Sequence, residues 1–164
     1  MGYEPQMDKM EIRKCYYLLA EEFSSLSFKE ALEHCHEKIK KYYSCYPLLF
    51  HMGILLVNHF MLAGSQEKSE QILEEARELF SRVKTEAEDP NLGKEAFQME
   101  AYCLLILKRP EEILELLGED AIITNPAEPV LAISFWEMLR KRNGFCRSAY
   151  IKRLLPCAMY YSHI

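Results

Sequence analysis

Three groups of residues in this chain have the types needed for chemistry: the tripeptide His34-Cys35-His36, the pair His51 and His59, and cysteines at 15, 35, 45, 103, 146 and 157. A structural zinc site needs about four nitrogen or sulfur ligands converging on one point. Successive residues of a helix point about 100° apart, so His34, Cys35 and His36 diverge. His51 and His59 lie more than two helical turns apart, too far to share an ion on one helix. The cysteines are scattered with no CxxC pair, which suggests neither a zinc site nor a disulfide framework but buried thiols in a reducing compartment. No Ser-His-Asp or Cys-His set assembles from local spacing. The expectation is a protein with no metal, no cofactor and no catalytic residue, and therefore not an enzyme.

The elements that hold these residues include a nearly continuous apolar run, Leu48 to Ala63, in an otherwise charged chain. A membrane span needs about 20 apolar residues, and this run is shorter and carries His51, Asn58 and His59, so no membrane is expected. The N-terminal MGYEPQMDKMEIRK lacks the basic patch and apolar core of a secretory signal, so the expected location is cytoplasmic. At 164 residues the chain suits one domain, 1–164, able to bury roughly 70% of its unfolded surface. The net charge of -5 disfavours nucleic-acid binding by the surface as a whole, because neutralising phosphates takes clustered Lys and Arg. Charge is also uneven: residues 66–120 hold fifteen acids and seven bases, while residues 121–164 hold two acids and six bases, all between Arg140 and Arg153.

No stretch alternates with period two, and apolar residues recur at three- and four-residue spacing nearly throughout, which predicts an all-α fold. Asp8 is placed to cap a helix to about Ser24, and Ser27 a second to about Tyr43. Pro47 suits the first turn of a third, which Gly64 can stop. Ser65 opens a fourth, to about Ala87, before the breaker EDPNLG. A fifth is expected from about Leu92 to Leu107, a sixth from Pro110 to Gly118, a seventh near Glu128 to Arg142 and an eighth from about Phe145. Glu74, Glu75 and Glu78 with Arg77 and Arg82 read as a solvent face with helical ion pairs. Glu111, Glu112 and Glu115 favour a helix N-terminus.

Internal repetition separates a bundle from a stack of hairpins. The segments FKEALEHC, KSEQILEEARELF, RPEEILELL and NGFCRSAYIKRLL each read as the second helix of a pair, with Ala31, Ser69, Ile113 and Ala149 equivalent, at gaps of 38, 44 and 36 residues. These approach the period of the tetratricopeptide (TPR) repeat, and the residues resemble that family. Leu49, Met52, Gly53, Leu56, Ser69, Leu73 and Ala76 match its packing positions in the second pair, and Phe97, Ala101, Leu104, Ile113 and Leu117 do so in the third. Lys38 and Glu137 stand where small residues are usual, and Pro156 falls inside the last helix. The resemblance implies stacked antiparallel helical hairpins, a TPR-like right-handed superhelix of about eight helices. It also explains the apolar run: the first helix of a middle pair touches its own partner and both neighbouring pairs. Gly53 costs about 1 kcal/mol of helix propensity, which makes sense where another helix crosses closely.

Taken together, MGYEPQM, IKKYYSCYPLLFHMGILLVNHFMLA and RPEEILELLGED resemble the C-terminal halves of bacterial helix-turn-helix regulators of the Cro/CI-like (XRE) type. In those proteins a small DNA-binding domain precedes a TPR-like helical domain. Residues 1–7 would then be the linker from an absent N-terminal domain, through which alone DNA would be bound. The resemblance implies a sensing, protein-interaction and dimerisation domain; a freestanding TPR-like adaptor for a protein or peptide is the alternative. The TPR-like register puts Tyr16, Asn58, Gln98 and Tyr102 on a concave side, where an amide can bond an extended peptide and tyrosines can pack its side chains. The C-terminal LLPCAMYYSHI carries too many large apolar groups for one face of a last helix. Leu155, Met159, Tyr160 and Ile164 are accordingly expected in a homodimer interface, or else folded back over their own domain.

Overall fold

A computed structural model describes residues 5–117. Of these 84% are helical and no strand occurs among them, so the fold described is all-α. The elements are α1 (Lys9–Ser25), α2 (Phe28–Lys41), α3 (Tyr46–His59), a 3-10 turn (Phe60–Ala63), α4 (Gln66–Glu86), α5 (Pro90–Ile106) and α6 (Pro110–Leu117). The expected seventh and eighth helices lie outside the described residues.

Helix starts follow from local chemistry. The Asp8 carboxylate accepts from the Glu11 amide at 2.8 Å, while the Glu11 carboxylate accepts from the Asp8 amide at 2.9 Å, a complete capping box. Ser27 and Glu30 repeat it at α2, and the Ser65 hydroxyl caps α4 by accepting from the Lys68 amide at 3.3 Å. Helix α3 has no side-chain cap and carries Pro47 in its first turn, where a missing N–H is no loss. Its end tightens into the 3-10 turn, and Gly64 then takes a φ of +79°, a left-handed stop that glycine adopts without a Cβ penalty. The Ser69 hydroxyl donates to the Phe60 carbonyl at 3.0 Å and ties that turn to α4.

Contacts fix the helix directions. Helices α1 and α3 run parallel: Gln6, just before α1, bonds Ser44, just before α3; the Tyr16 and His51 rings meet midway; Phe23 and His59 stack at 4.5 Å near the far ends. Helix α4 returns antiparallel to α3, since Tyr46 at the start of α3 donates its hydroxyl to Glu86 at the end of α4. Helix α2 is likewise antiparallel to α1, with Phe23 and Phe28 meeting across their turn. Helices α2 and α4 are therefore parallel, and His36 on α2 pairs with Glu75 on α4 at 2.7 Å. The first four helices thus form two consecutive hairpins laid side by side in the same orientation.

Helix α3 packs against α1, α2 and α4. It buries Leu48, Leu49, Phe50, Met52, Gly53, Leu55, Leu56 and Val57. Each large side chain taken from water contributes about 1.5–3 kcal/mol, so this helix is the main apolar investment of the hairpins. The segment Tyr46–Ala63 has the length and hydropathy of a membrane span, yet half of it is buried within the protein itself. At Gly53 there is no room for a side chain: a Cβ there would lie 2.7 Å from two ring atoms of Phe80, which is fully buried on α4.

The described chain divides into two compact units between Cys103 and Leu104, a boundary that α5 crosses. Within the first unit, the Lys84 ammonium lies 2.6 Å from the Glu100 carboxylate, which is 1% exposed, and 5.9 Å from the centre of the Phe97 ring. A carboxylate buried this deeply is stable only when paired, so the pair fixes the rotation of α5 against α4. Within the second unit, Leu104 and Ile113 are buried and α6 follows directly after Lys108, whose φ is +62°.

Two predictions follow from this packing. Gly53→Ala gains about 1 kcal/mol of helix propensity. It also forces the Phe80 ring to move, an overpacking cost of about 1–3 kcal/mol, so a net loss of up to about 2 kcal/mol is expected in urea denaturation. The second concerns His34, whose Nδ1 lies 2.8 Å from the Glu22 carboxylate on α1, with Glu30 and Glu37 nearby on α2. The hydrogen bond to Glu22, then these negative charges, raise its pKa above 6.5 despite some desolvation. A raised pKa stabilises the fold fully below 6.5, and that contribution disappears as pH rises through the folded value. The melting temperature of His34→Gln should fall below that of the parent chain at about pH 5.5 and converge on it by about pH 8.5.

Candidate functional site

The buried stripe of α1 is Ile12, Cys15, Leu19 and Phe23, which places Tyr16 at its edge, half-buried, and leaves Tyr17 exposed. On α3 the residues that escape burial include His51, Ile54 and Asn58, which follow one another at three- and four-residue spacing and share a face. Because α1 and α3 are parallel neighbours, these two edges meet. The Asn58 amide Nδ2 donates to the Tyr16 hydroxyl at 3.0 Å. This is the contact that brings two of the expected groove residues together.

The donors and acceptors left over define what the pair can do. Tyr16 accepts from Asn58, so its own O–H remains to donate. Asn58 keeps its carbonyl oxygen as an acceptor and a second N–H as a donor. Burial pushes the Tyr16 phenol above its usual 10, and the bond from Asn58 works against that rise without cancelling it. Tyr16 therefore stays protonated at neutral pH, a neutral donor rather than an acid-base catalyst. The Tyr17 ring meets the Tyr16 ring edge-on at 5.9 Å, with the Arg13 guanidinium 5.9 Å above the Tyr17 ring.

His51 also belongs to this edge, although the sequence did not place it in the groove. Its ring meets Tyr16 edge-on at 6.2 Å, and its Nδ1 lies 2.7 Å from the Pro47 carbonyl one turn back. Since a carbonyl only accepts, Nδ1 is the donor in this contact, and Nε2 is left on the far side of the ring. The signal was available: His51 lies seven residues before Asn58, two helical turns, and so on the same face. His59 bonds the Leu55 carbonyl in the same way at 2.8 Å, but its ring is spent on Phe23.

Gln98 and Tyr102 lie one turn apart on α5 and share a face. Glu100, which anchors α5 to α4, is half a turn round from both, so they are directed away from that anchor. Both are half-buried, and desolvation raises the Tyr102 phenol above 10. Among the described residues no hydrogen bond or ring contact joins either to Tyr16 or Asn58. The expected interface residues Leu155, Met159, Tyr160 and Ile164 lie outside the described residues.

The His34-Cys35-His36 tripeptide splits three ways: His34 to Glu22 on α1, His36 to Glu75 on α4, and Cys35 inward to the Met52 sulfur at 3.8 Å. Among the described residues no group of three or more His, Cys, Asp or Glu is placed to hold a metal. Cys15, Cys35, Cys45 and Cys103 are free thiols, all buried. Burial pushes Cys35 and Cys103 up to about 12, the reverse of what a nucleophilic thiolate needs. What the α1–α3 edge offers is neutral hydrogen bonding beside aromatic surface. Comparison with known proteins adds nothing to this: no family model, no curated protein and no solved structure matches the chain.

Proposed function

We propose that this chain is the sensing, protein-interaction and dimerisation domain of a bacterial transcriptional regulator, folded as a TPR-like right-handed superhelix of about eight helices. The observation that carries the proposal is the Asn58–Tyr16 bond across parallel helices α1 and α3. Parallel first helices of successive hairpins are what a TPR-like stack requires, and an amide and a phenol on their shared edge suit an extended peptide. Gln98 and Tyr102, turned away from α4, extend the same groove along α5. DNA would be bound through a separate domain, in keeping with the chain's net charge of -5.

Peptides selected from a random library on the purified chain should bind at least about tenfold more weakly to Asn58→Ala, the loss of roughly one well-placed hydrogen bond. Failure to enrich any peptide, or equal affinity for the variant, contradicts the groove. Association is tested separately by sedimentation. The chain should sediment as a dimer at tens of micromolar, and Met159→Asp with Tyr160→Asp should return it to a monomer that keeps its helical circular dichroism, because a charge buried in an apolar interface costs several kcal/mol.

A further inference from the structure

Residues 6–8 touch both helices of the α1–α3 pair. Ahead of α1, the Gln6 amide Nε2 donates to both the carbonyl and the hydroxyl of Ser44, each at 3.3 Å. Ser44 is 8% exposed and immediately precedes Cys45, the uncapped start of α3. Two residues after Gln6, the Asp8 capping box fixes the start of α1. The short segment is therefore tied at one end to α1 and at the other to the turn that launches α3. Its two attachments remain in register only while α1 and α3 keep their spacing.

That spacing is set elsewhere. At the far ends of the two helices Phe23, which is buried, stacks on His59 at 4.5 Å, and Asn58, next to His59, bonds Tyr16. Tyr16 lies about 10 Å up α1 from Phe23, and Lys9 about 21 Å, at 1.5 Å per residue. The Gln6 contacts and the Asn58–Tyr16 bond are therefore separate ties, at different heights, between the same two helices. Bonds of 3.3 Å are already longer than the usual 2.7–3.2 Å for N–H···O, so the Gln6 contacts have little room to stretch before they break.

We propose that Gln6 and Ser44 form a latch that closes when Asn58 bonds Tyr16 and opens when that bond is lost, so that residues 5–8 report the state of the α1–α3 edge. A ligand competing for Asn58 or Tyr16 would release the segment; one bridging them would hold it. The latch extends the proposed groove, but it is a property of the ligand-free chain and is tested without any peptide.

The test is a double-mutant cycle in the full chain, with Gln6→Ala and Tyr16→Phe made singly and together and unfolding equilibrium constants taken from urea titrations. Independent sites add to within about twofold. Coupled ones should leave the double variant more stable than the sum of single effects by at least about threefold in that constant, and Tyr16→Phe alone should move the Gln6 side-chain amide resonance toward its position in unfolded chain. If Tyr16→Phe does not fold, Asn58→Ala breaks the same bond from its exposed side. An additive cycle overturns the latch, as does an unmoved Gln6 resonance. Equal coupling between Gln6→Ala and Tyr46→Phe, a bond between α3 and α4, also overturns it, because the effect would then not be specific to the edge.

Discussion

The close crossing of α3 and α4 at Gly53 and Phe80 is the constraint on which the rest of the hairpin arrangement depends. With no side chain at residue 53 the aromatic ring of Phe80 seats against the α3 backbone, and Phe50 meets the same ring edge-on at 5.6 Å. Once that distance is fixed, the other apolar side chains of α3 fall at heights that α1, α2 and α4 can cover. Burial of this one helix on nearly every side then decides which of its residues remain for recognition. Few of them point outward, and His51 and Asn58, the polar ones on that face, become the raw material of the site.

Polar interactions act as a second layer that orients what the core has assembled. The Lys84–Glu100 pair rotates α5, and the Glu22–His34 and Glu75–His36 pairs hold α2 at the rim. A buried pair such as Lys84–Glu100 adds little net stability compared with an apolar substitute, but removing one partner strands the other charge. This pair joins α5 to α4 on a face where the neighbouring buried residues of α5, Ala96 and Ala101, are small.

Much of this was legible in the sequence because the signals were local. Asp8, Ser27 and Ser65 each sit where a short oxygen side chain can reach an unpaired helix amide, and Gly64 where a left-handed stop is needed; all four positions held. Gly53 within an apolar run pointed to a close crossing for the same reason. Tyr16 and Asn58 were placed on one edge by register, although nothing in their types announced that they would bond each other across forty-two residues. His51 was not placed in the groove because a histidine in an apolar run reads as a packing residue or a polar contact, and its approach to Tyr16 is visible only in the folded chain. Gln6 escaped because a residue ahead of a capped helix reads as linker, and its partner in a distant turn has no sequence signature. Nothing in the sequence singles out Lys84 and Glu100, since only tertiary packing buries one of them.

The thin burial of α2 bears on how the protein comes apart. Its fully buried side chains are Ala31 and Cys35, both small, whereas α3 and α4 bury rows of Leu, Ile, Val and Phe. Local opening free energy scales with the apolar contact an element must surrender, so of the four hairpin helices α2 has the least to lose by detaching. Its departure would uncover Met52 and the inner side of α3 while leaving the α3–α4 hairpin intact. Within the two hairpins, partial unfolding would thus begin at an internal helix, and the transiently bared surface would be that of α3, the most apolar of the four helices. A protease or chaperone that samples rare open states would meet the inner face of α3 first.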